Sequence, residues 1–244
     1  LYTHAAGKIF LNDTVKEWFK QFLPPTSGLS LVMDGDLPKM DNFKDDFSPK
    51  LSAQDGEIHT VIAGRMIGIS DTDLKVFVNN NIHIHLYTEN YYNDRARENI
   101  QRFRTAPNHF HVHPHVSADN WTKELSQYDA GWLHCLKSNN SGDQLKMLWD
   151  DMNIPARIST YASAGLPVIL YNNTGHIVAT QDIATKLDIG IFFKDAQELS
   201  TKLKDRIRMQ QLTDNMLHNR KLFSFDYYVP QLIQLFRDII KMKI

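Results

Sequence analysis

From residue 58 onward, short apolar segments alternate with polar segments of helical character. The apolar segments are rich in residues favoured in β-strands: Ile58–Ala63, Ile82–Tyr87, Phe110–Val116, Gly131–Leu136, Pro167–Tyr171 and Ile189–Phe193. The segments between them predict helices: Asp71–Asn80, Asp94–Phe103, Asp119–Tyr128, Arg157–Ala164, Ala179–Lys186 and Ala196–Met209. Potential N-caps precede several of these helices: Ser70, Asn93, Ser117 and Asp195. Such alternation predicts an α/β fold, a doubly wound, Rossmann-like parallel sheet with helices on both faces.

Residues 1–57 follow a different pattern. Lys8–Leu11 and Leu29–Met33 predict short strands, and between them Asn12 or Asp13 can cap a helix that runs to about Phe22. Residues 34–57 are acidic and rich in turn residues, which is typical of a linker. One strand, one helix and one strand cannot close a core, so we expect residues 1–57 to be the end of another domain.

The chain ends in a predicted amphipathic helix. Its apolar stripe consists of Val229, Leu232, Ile233, Phe236 and Ile240. Residues 201–244 hold nine Lys or Arg against four Asp. This basic excess suits an anionic membrane surface, or it is the solvated outer face of a docked helix, which is the interpretation we favour.

Composition excludes several classes of protein. The 244 residues are 42% hydrophobic and 23% charged, as in an ordinary globular protein. A net charge of -1 provides no basic excess for nucleic acid. A single cysteine, Cys135, precludes an internal disulfide and favours the reducing cytoplasm. The chain begins at Leu1 rather than Met and shows no signal-peptide pattern, so we expect a truncated chain.

The segment 153–170 is the first candidate for chemistry. It predicts a loop, a short helix entered through Pro155, a C-cap at Gly165 and a buried strand. A helix N-terminus can bind an anion, and Arg157, Ser159 and Thr160 lie in its first turn. The second candidate is Gly64-Arg65, at the carboxyl end of the first strand of the sheet, where ligands bind in doubly wound folds. Either segment could equally be an ordinary surface turn bearing a solvated arginine.

Histidines form the third candidate. If the chain is extended, His109, His111, His113 and His115 point to one face, and His83 and His85 do so in the neighbouring strand. His-x-His pairs bind zinc in some hydrolases, so one alternative is a metal-dependent hydrolase using the His109–His115 face. A metal site also needs further ligands and outer partners. We therefore expect ordinary sheet histidines and no metal, and we expect one histidine near the strand ends, His113, His115 or His134, to contact a ligand.

Five short stretches in order resemble GT-B glycosyltransferases, closest to the bacterial glucosyltransferases of surface glycoprotein and polysaccharide synthesis. The segment Asn153–Leu170, with its Ser-Ala-Gly-Leu-Pro-Val-Ile end, is similar to the donor-binding loop. The other stretches are Val61–Arg65, Val116–Gly131, Leu187–Gly190 with Ala196–Leu199, and Phe223–Tyr227 with the helix that follows. Gly7–Leu37 is similar to the last strand, helix and strand before the interdomain linker.

The resemblance implies transfer of a hexose from a nucleotide-diphosphate sugar, UDP-sugar foremost, to a glycan, glycoprotein or lipid-linked acceptor. It implies an N-terminal acceptor domain ending at residue 57, a nucleotide-sugar-binding domain over 58–222, and a helix over 223–244 that crosses back. It implies that neither a metal nor another cofactor is needed. The donor-binding residues that it implies are Gly64, Arg65, His134, Asn153, Arg157, Ser159, Thr160 and Tyr161.

The chain departs from the family's pattern in two places. The Glu-x7-Glu pair of many retaining enzymes falls near Met152 and at Thr160, and the lysine that usually follows Gly-Arg is replaced near Asp71. No catalytic residue can be assigned from the sequence, and a non-catalytic nucleotide-sugar-binding subunit stays an alternative. Peripheral membrane contact and self-association also stay open, and we expect no nucleic-acid partner.

Overall fold

The computed structural model describes residues 2–25, 27–89 and 96–242. In this part of the chain, two parallel strands form a small sheet and six parallel strands form a large one. The small sheet consists of β1 (Gly7–Phe10) and β2 (Leu29–Val32). The large sheet contains β3 (Ile58–Ala63), β4 (Ile82–Tyr87), β5 (Phe110–His113), β6 (Ala130–Trp132), β7 (Val168–Tyr171) and β8 (Gly190–Phe193).

The spatial order of the large sheet is β5-β4-β3-β6-β7-β8. Counted from β3, this order is 3-2-1-4-5-6, that of the Rossmann fold. The chain reverses its direction of winding between β3 and β6, and ligands bind at the carboxyl ends of the strands at such a point. The predicted α/β, doubly wound fold is therefore confirmed.

Helices cover both faces of this sheet. The helices of the described residues are α1 (Asp13–Phe22), α2 (Ser52–Asp55), α3 (Asp71–Val78), α4 (Ala96–Thr105), α5 (Trp121–Leu125), α6 (Trp149–Met152), α7 (Arg157–Ser163), α8 (Ala179–Lys186), α9 (Ala196–Leu203), α10 (Arg206–Asn219) and α11 (Phe225–Lys241). Of these, α1 and α11 pack against the small sheet. Ser70 and Asp195 cap α3 and α9 as predicted. The Ser117 side chain caps no helix. The predicted cap Asn93 and the predicted helix start at Asp94 lie outside the described residues.

Some predicted bounds need correction. The single helix expected over Ala196–Met209 is two helices, because the Asp205 carboxylate accepts the backbone N–H of Arg208 and starts α10. The helix expected over Asp119–Tyr128 is a 3₁₀ turn followed by the short α5. Strand β5 ends at His113, so His115 lies beyond the sheet.

Alternating side chains of the strands build one core on each face. Ile62, Ile84 and Trp132 pack with residues of α3 and α9 on one face. On the other face Val61, Leu133 and Val168 pack with residues of α5 and α7. Successive side chains of a strand point to opposite faces of the sheet. Because both faces are buried, nearly every position of these strands is apolar.

Helix α11 crosses to the small sheet. Ile239 and Leu235 pack against Gly7 on β1, where a Cβ would lie only 2.1 Å from Ile239 Cδ1. The Asp226 carboxylate accepts the backbone N–H of Met40 at 2.7 Å. Of the predicted apolar stripe, Ile233, Phe236 and Ile240 are exposed, and the buried residue of α11 is Leu235. The docked side of α11 is narrow because a two-stranded sheet covers little of a helix.

None of the described helices combines the length and the apolar character needed to cross a bilayer.

Candidate functional site

Three of the predicted donor-binding residues meet where the sheet reverses. Gly64 and Arg65 directly follow β3, and His134 lies two residues beyond the end of β6. The backbone N–H of Gly64 continues the ladder by donating to Tyr87 O at 2.7 Å. Gly64 has φ +99°, a left-handed conformation that turns the chain sharply out of the strand. The turn brings Arg65 to the crevice at the carboxyl ends.

Arg157, 92 residues further along the chain, joins this group from the start of α7. Its Nη1 donates to the backbone carbonyl of Arg65 at 2.8 Å. A Cβ on Gly64 would lie 3.4 Å from Arg157 Nη2, so the glycine leaves room for the guanidinium. The Arg65 carbonyl and the Tyr161 hydroxyl occupy part of the guanidinium fork, which leaves other N–H donors to an anion. The two arginines concentrate positive charge at one point of the crevice.

The electrostatics of His134 confirm that these groups lie together. Burial and the positive charges of Arg157 and Arg65 together lower the pKa of His134 to about 4, and the negative charge of Asp150 opposes the shift. The imidazole is therefore neutral at pH 7 and can donate or accept a hydrogen bond. An anion placed among the three side chains would offset the repulsion from the two arginines and raise the pKa of His134.

The loop between β3 and α3 is fixed against the end of β6. The backbone N–H of Cys135 donates to Ile67 O at 3.2 Å, and Gly68 has φ +81°. A Cβ on Gly68 would lie 2.1 Å from Cys135 O, so only glycine allows this approach. Burial raises the pKa of the Cys135 thiol to about 12, which makes it a packing residue rather than a nucleophile. Sequence reasoning missed Gly68, because its partner is 67 positions away.

A cavity of about 150 Å³ adjoins His134. Asn153, one of the predicted donor-binding residues, lines it, and sequence reasoning missed its basic residues Lys137 and Lys146. The Lys137 Nζ lies 4.7 Å from the centre of the Tyr171 ring, which also lines the cavity. Sites for larger ligands usually measure about 300–1,000 Å³. The cavity therefore fits one part of such a ligand, and the rest would lie along the open crevice.

The loop carrying Asn153 is held from two sides. The Thr180 hydroxyl on α8 donates to Asn153 O at 3.0 Å. The Asn12 amide donates to Met152 O at 2.7 Å, while its Oδ1 accepts the Val15 N–H and caps α1. Asn12 thus ties the small sheet's helix to the edge of the cavity.

Three predicted donor-binding residues lie elsewhere than expected. Ser159, Thr160 and Tyr161 are buried, at 2%, 7% and 0% exposure. The Tyr161 hydroxyl accepts the Ala63 N–H at 2.9 Å and donates to Trp132 O at 2.8 Å, so it joins β3 to β6. The helix was expected to offer free N–H groups, but those of Ile158 and Ser159 donate to Pro155 and Ala156. We therefore assign these residues to the structural support of the site.

The histidines form a separate group on the half of the sheet made by β3, β4 and β5. Diagonal imidazole pairs connect neighbouring strands with N···N distances of 3.0 Å: His59–His85, His83–His111 and His85–His113. His115, beyond β5, is exposed. His111 and His113, which belong to the predicted His109–His115 face, therefore each pair with a histidine of β4. They do not converge on a single site.

Comparisons with known proteins bear on the fold. No family model and no curated protein sequence matches the chain. Among solved structures, it is similar to the accessory secretory proteins 1, 2 and 3 of Streptococcus pneumoniae, with a TM-score of 0.55, 10% identity, and coverage of 96% of this chain and 43% of that one. It is also similar to MnaA of S. aureus, solved with UDP, with a TM-score of 0.58, 7% identity, and coverage of 97% and 60%.

These likenesses concern the fold alone, because the identities are low. They confirm the fold that the resemblance predicted, a Rossmann-like half of the GT-B type. The chain spans about half the length of the solved chains it matches.

Proposed function

We propose that this chain contributes the nucleotide-sugar-binding part of a glycosyltransferase. The observation that carries the proposal is the convergence of Arg65, His134 and Arg157 at the point where a Rossmann sheet reverses. The fold shared with a protein solved with UDP supports it. The donor would be a UDP-hexose, and the acceptor a glycan, a glycoprotein or a lipid-linked sugar.

In this proposal, Arg65, His134 and Arg157 stabilise the diphosphate as it leaves. Negative charge grows on the diphosphate as the glycosidic bond breaks, and fixed cations stabilise that charge most where water is excluded. Arg157 is oriented by the Arg65 carbonyl before any ligand arrives. His134 can donate a hydrogen bond to a phosphate oxygen, and Asn153 with Lys137 would hold the group that enters the cavity.

A second candidate is a subunit that binds a nucleotide sugar without transferring it. The observation that favours it is the burial of Thr160, the position of the family's ribose-binding glutamate. A buried threonine on the inner side of α7 cannot replace an exposed carboxylate. In this case the arginines would still bind the diphosphate, and no sugar would be transferred.

A thermal-shift screen separates these possibilities from an unrelated function. We expect UDP and UDP-sugars to raise the melting temperature, since a ligand at 100 times its Kd stabilises by about 2.7 kcal/mol. Uridine, which has no phosphate, is the matched control and should shift it far less. Stabilisation by uridine and UDP alike, or by neither, would overturn the proposal. Release of UDP from a UDP-sugar on addition of acceptor favours the transferase, and tight binding without release favours the subunit.

The setting of this activity belongs to the same proposal. We place the protein in the cytoplasm, which the single buried thiol of Cys135 suits. The basic residues near the C-terminus would favour an anionic membrane surface, where lipid-linked acceptors lie.

A further inference from the structure

The register of β3, β4 and β5 stacks histidine rings across the sheet. His59 is paired with His83 in the ladder, and His109 directly precedes the strand that continues the row. The ring centroids of His59 and His83 are 4.3 Å apart, and those of His83 and His109 are 4.5 Å apart. This row lies near the amino ends of the strands, whereas Arg65 and His134 lie beyond the carboxyl ends.

Glu57 completes a group of three ligand-bearing side chains at this edge. One ligand atom each of Glu57, His83 and His109 lies within 4.8 Å of the other two. His83 Nε2 and a Glu57 carboxylate oxygen are 2.5 Å apart. Nε2 of His109 is buried and has no hydrogen-bond partner among the described residues. A buried polar atom without a partner is costly, and a cation bound at Nε2 would satisfy it.

Two imidazoles and one carboxylate are a ligand set that suits zinc. Zinc binds nitrogen and oxygen ligands at about 2.0–2.2 Å, which spaces ligand atoms in a tetrahedron by about 3.3 Å. His83 Nε2 and the Glu57 oxygen lie closer together than this, and all three ligand atoms lie within 4.8 Å of one another, so side-chain rotations would seat an ion among them. The other nitrogen of His83, Nδ1, lies 3.0 Å from His111 Nε2, the outer partner that ligating histidines usually have.

We propose that Glu57, His83 and His109 bind one divalent transition-metal ion, with Zn²⁺ the best-suited ion. The fourth position is left to water. Glu57 also lines a cavity of about 570 Å³ at the same edge of the sheet, which gives an ion a path from solvent. The site is independent of the nucleotide-sugar proposal, because its residues share no contact with Arg65, His134 or Arg157 among those described. It joins three strands by their amino ends, so bound metal would stabilise the fold.

Calorimetric titration of chelator-treated protein with ZnCl₂ tests this site. We expect close to one Zn²⁺ per chain, and a rise in melting temperature on addition of zinc. His109→Gln and Glu57→Gln keep the shape of each side chain and remove or weaken a ligand. Each should weaken binding by more than about 100-fold, because losing even an outer partner costs about 10–100-fold. His115→Ala, which removes an exposed histidine beyond β5, is the matched control and should bind zinc as the unmodified chain does.

Two further measurements make the result decisive. His111→Ala should weaken zinc binding by about 10–100-fold if His111 orients His83. Circular dichroism of each variant shows whether it is folded, so that loss of binding is not confused with loss of structure. Absence of stoichiometric zinc binding by the unmodified chain would overturn the proposal. So would equal zinc affinity of the folded His109→Gln and Glu57→Gln variants and the unmodified chain.

Discussion

Arg65 and Arg157, from distant parts of the chain, give the crevice at the carboxyl ends of the strands its positive charge. Arg157 reaches back 92 residues to the carbonyl of Arg65, and His134 lies within reach of both charges. Such a group costs free energy when it is empty, because like charges are held together. An anionic ligand would recover that cost, which is the physical reason for expecting a diphosphate there.

His134 provides a local probe of that idea. Its pKa is about 4 in the free protein, lowered by burial and by the two arginines. A bound diphosphate should raise the pKa, so UDP affinity should rise as pH falls toward 4 and level off below the free pKa. Histidine NMR titration with and without UDP measures the shift directly. A pKa of His134 that is the same at saturating UDP would place the phosphates elsewhere.

Tyr161 should behave as a structural residue. Tyr161→Phe removes a hydroxyl that pairs with the Ala63 N–H and the Trp132 carbonyl in the core. Leaving buried groups unpaired costs about 1–3 kcal/mol, which urea unfolding would report as a lower midpoint at constant slope. Tyr227→Phe, at an exposed ring, is the control and should stay within about 0.5 kcal/mol of the unmodified chain. Equal stability of the two variants would show that the hydroxyl does not join the strands.

The loop from Gly64 to Ser70 is the element that positions Arg65. Its fixed point is Gly68, whose hydrogen atoms face the Cys135 carbonyl. The capped α3 follows directly, since the Ser70 hydroxyl accepts the Asp73 N–H at 3.2 Å. Gly68 and Ser70 anchor one end of the loop, and the Gly64 N–H, which donates to Tyr87 O, anchors the other, so Arg65 lies between two fixed points.

Two glycines with the same φ of +81° allow a matched test of this anchor. In Gly56→Ala the new Cβ meets no atom within 4 Å, so only the left-handed conformation lowers the stability, by about 1–2 kcal/mol. Gly68→Ala has the same conformational cost, and its Cβ also overlaps the Cys135 carbonyl, which should lower the stability by about 1–3 kcal/mol more. Denaturant unfolding should place Gly68→Ala clearly below Gly56→Ala in stability. Equal losses in the two variants would mean that the loop is not fixed against β6.

Element identity was largely predictable, and element bounds were less so. Apolar segments flanked by Gly, Pro and capping residues predicted all six strands of the large sheet, because buried parallel strands leave a strong local pattern. The break at Asp205 was missed, since the apolar pattern continues through it and the cap depends on one hydrogen bond. The exposed stripe of α11 was also missed, because amphipathicity does not show which stripe finds a partner.

The order of the strands in the large sheet determines which residues meet at the candidate site. The sequence alone does not reveal that order. The order that places β3 beside β6 brings Gly64, Arg65 and His134 together. Short local motifs predicted those residues and Arg157, because glycine turns and arginines at strand ends carry a signal. Lys137 and Gly68 were missed, since their partners Tyr171 and Cys135 come from distant segments of the chain. His83 and His109 were among the histidines weighed as metal ligands, but Glu57 was not, since it comes from a different segment of the chain.

The central claim is that Arg157 binds the diphosphate of a nucleotide, and calorimetric titration with UDP tests it most directly. The unmodified chain and Arg157→Ala would be compared with Arg237→Ala, which removes an exposed arginine on α11. We predict that Arg157→Ala loses about 1.5–3 kcal/mol of binding free energy, the value of a charged hydrogen bond, or about 10- to 150-fold in Kd. Arg237→Ala should bind UDP as the unmodified chain does. Equal UDP affinity in all three proteins, or no binding by any of them, would contradict the account.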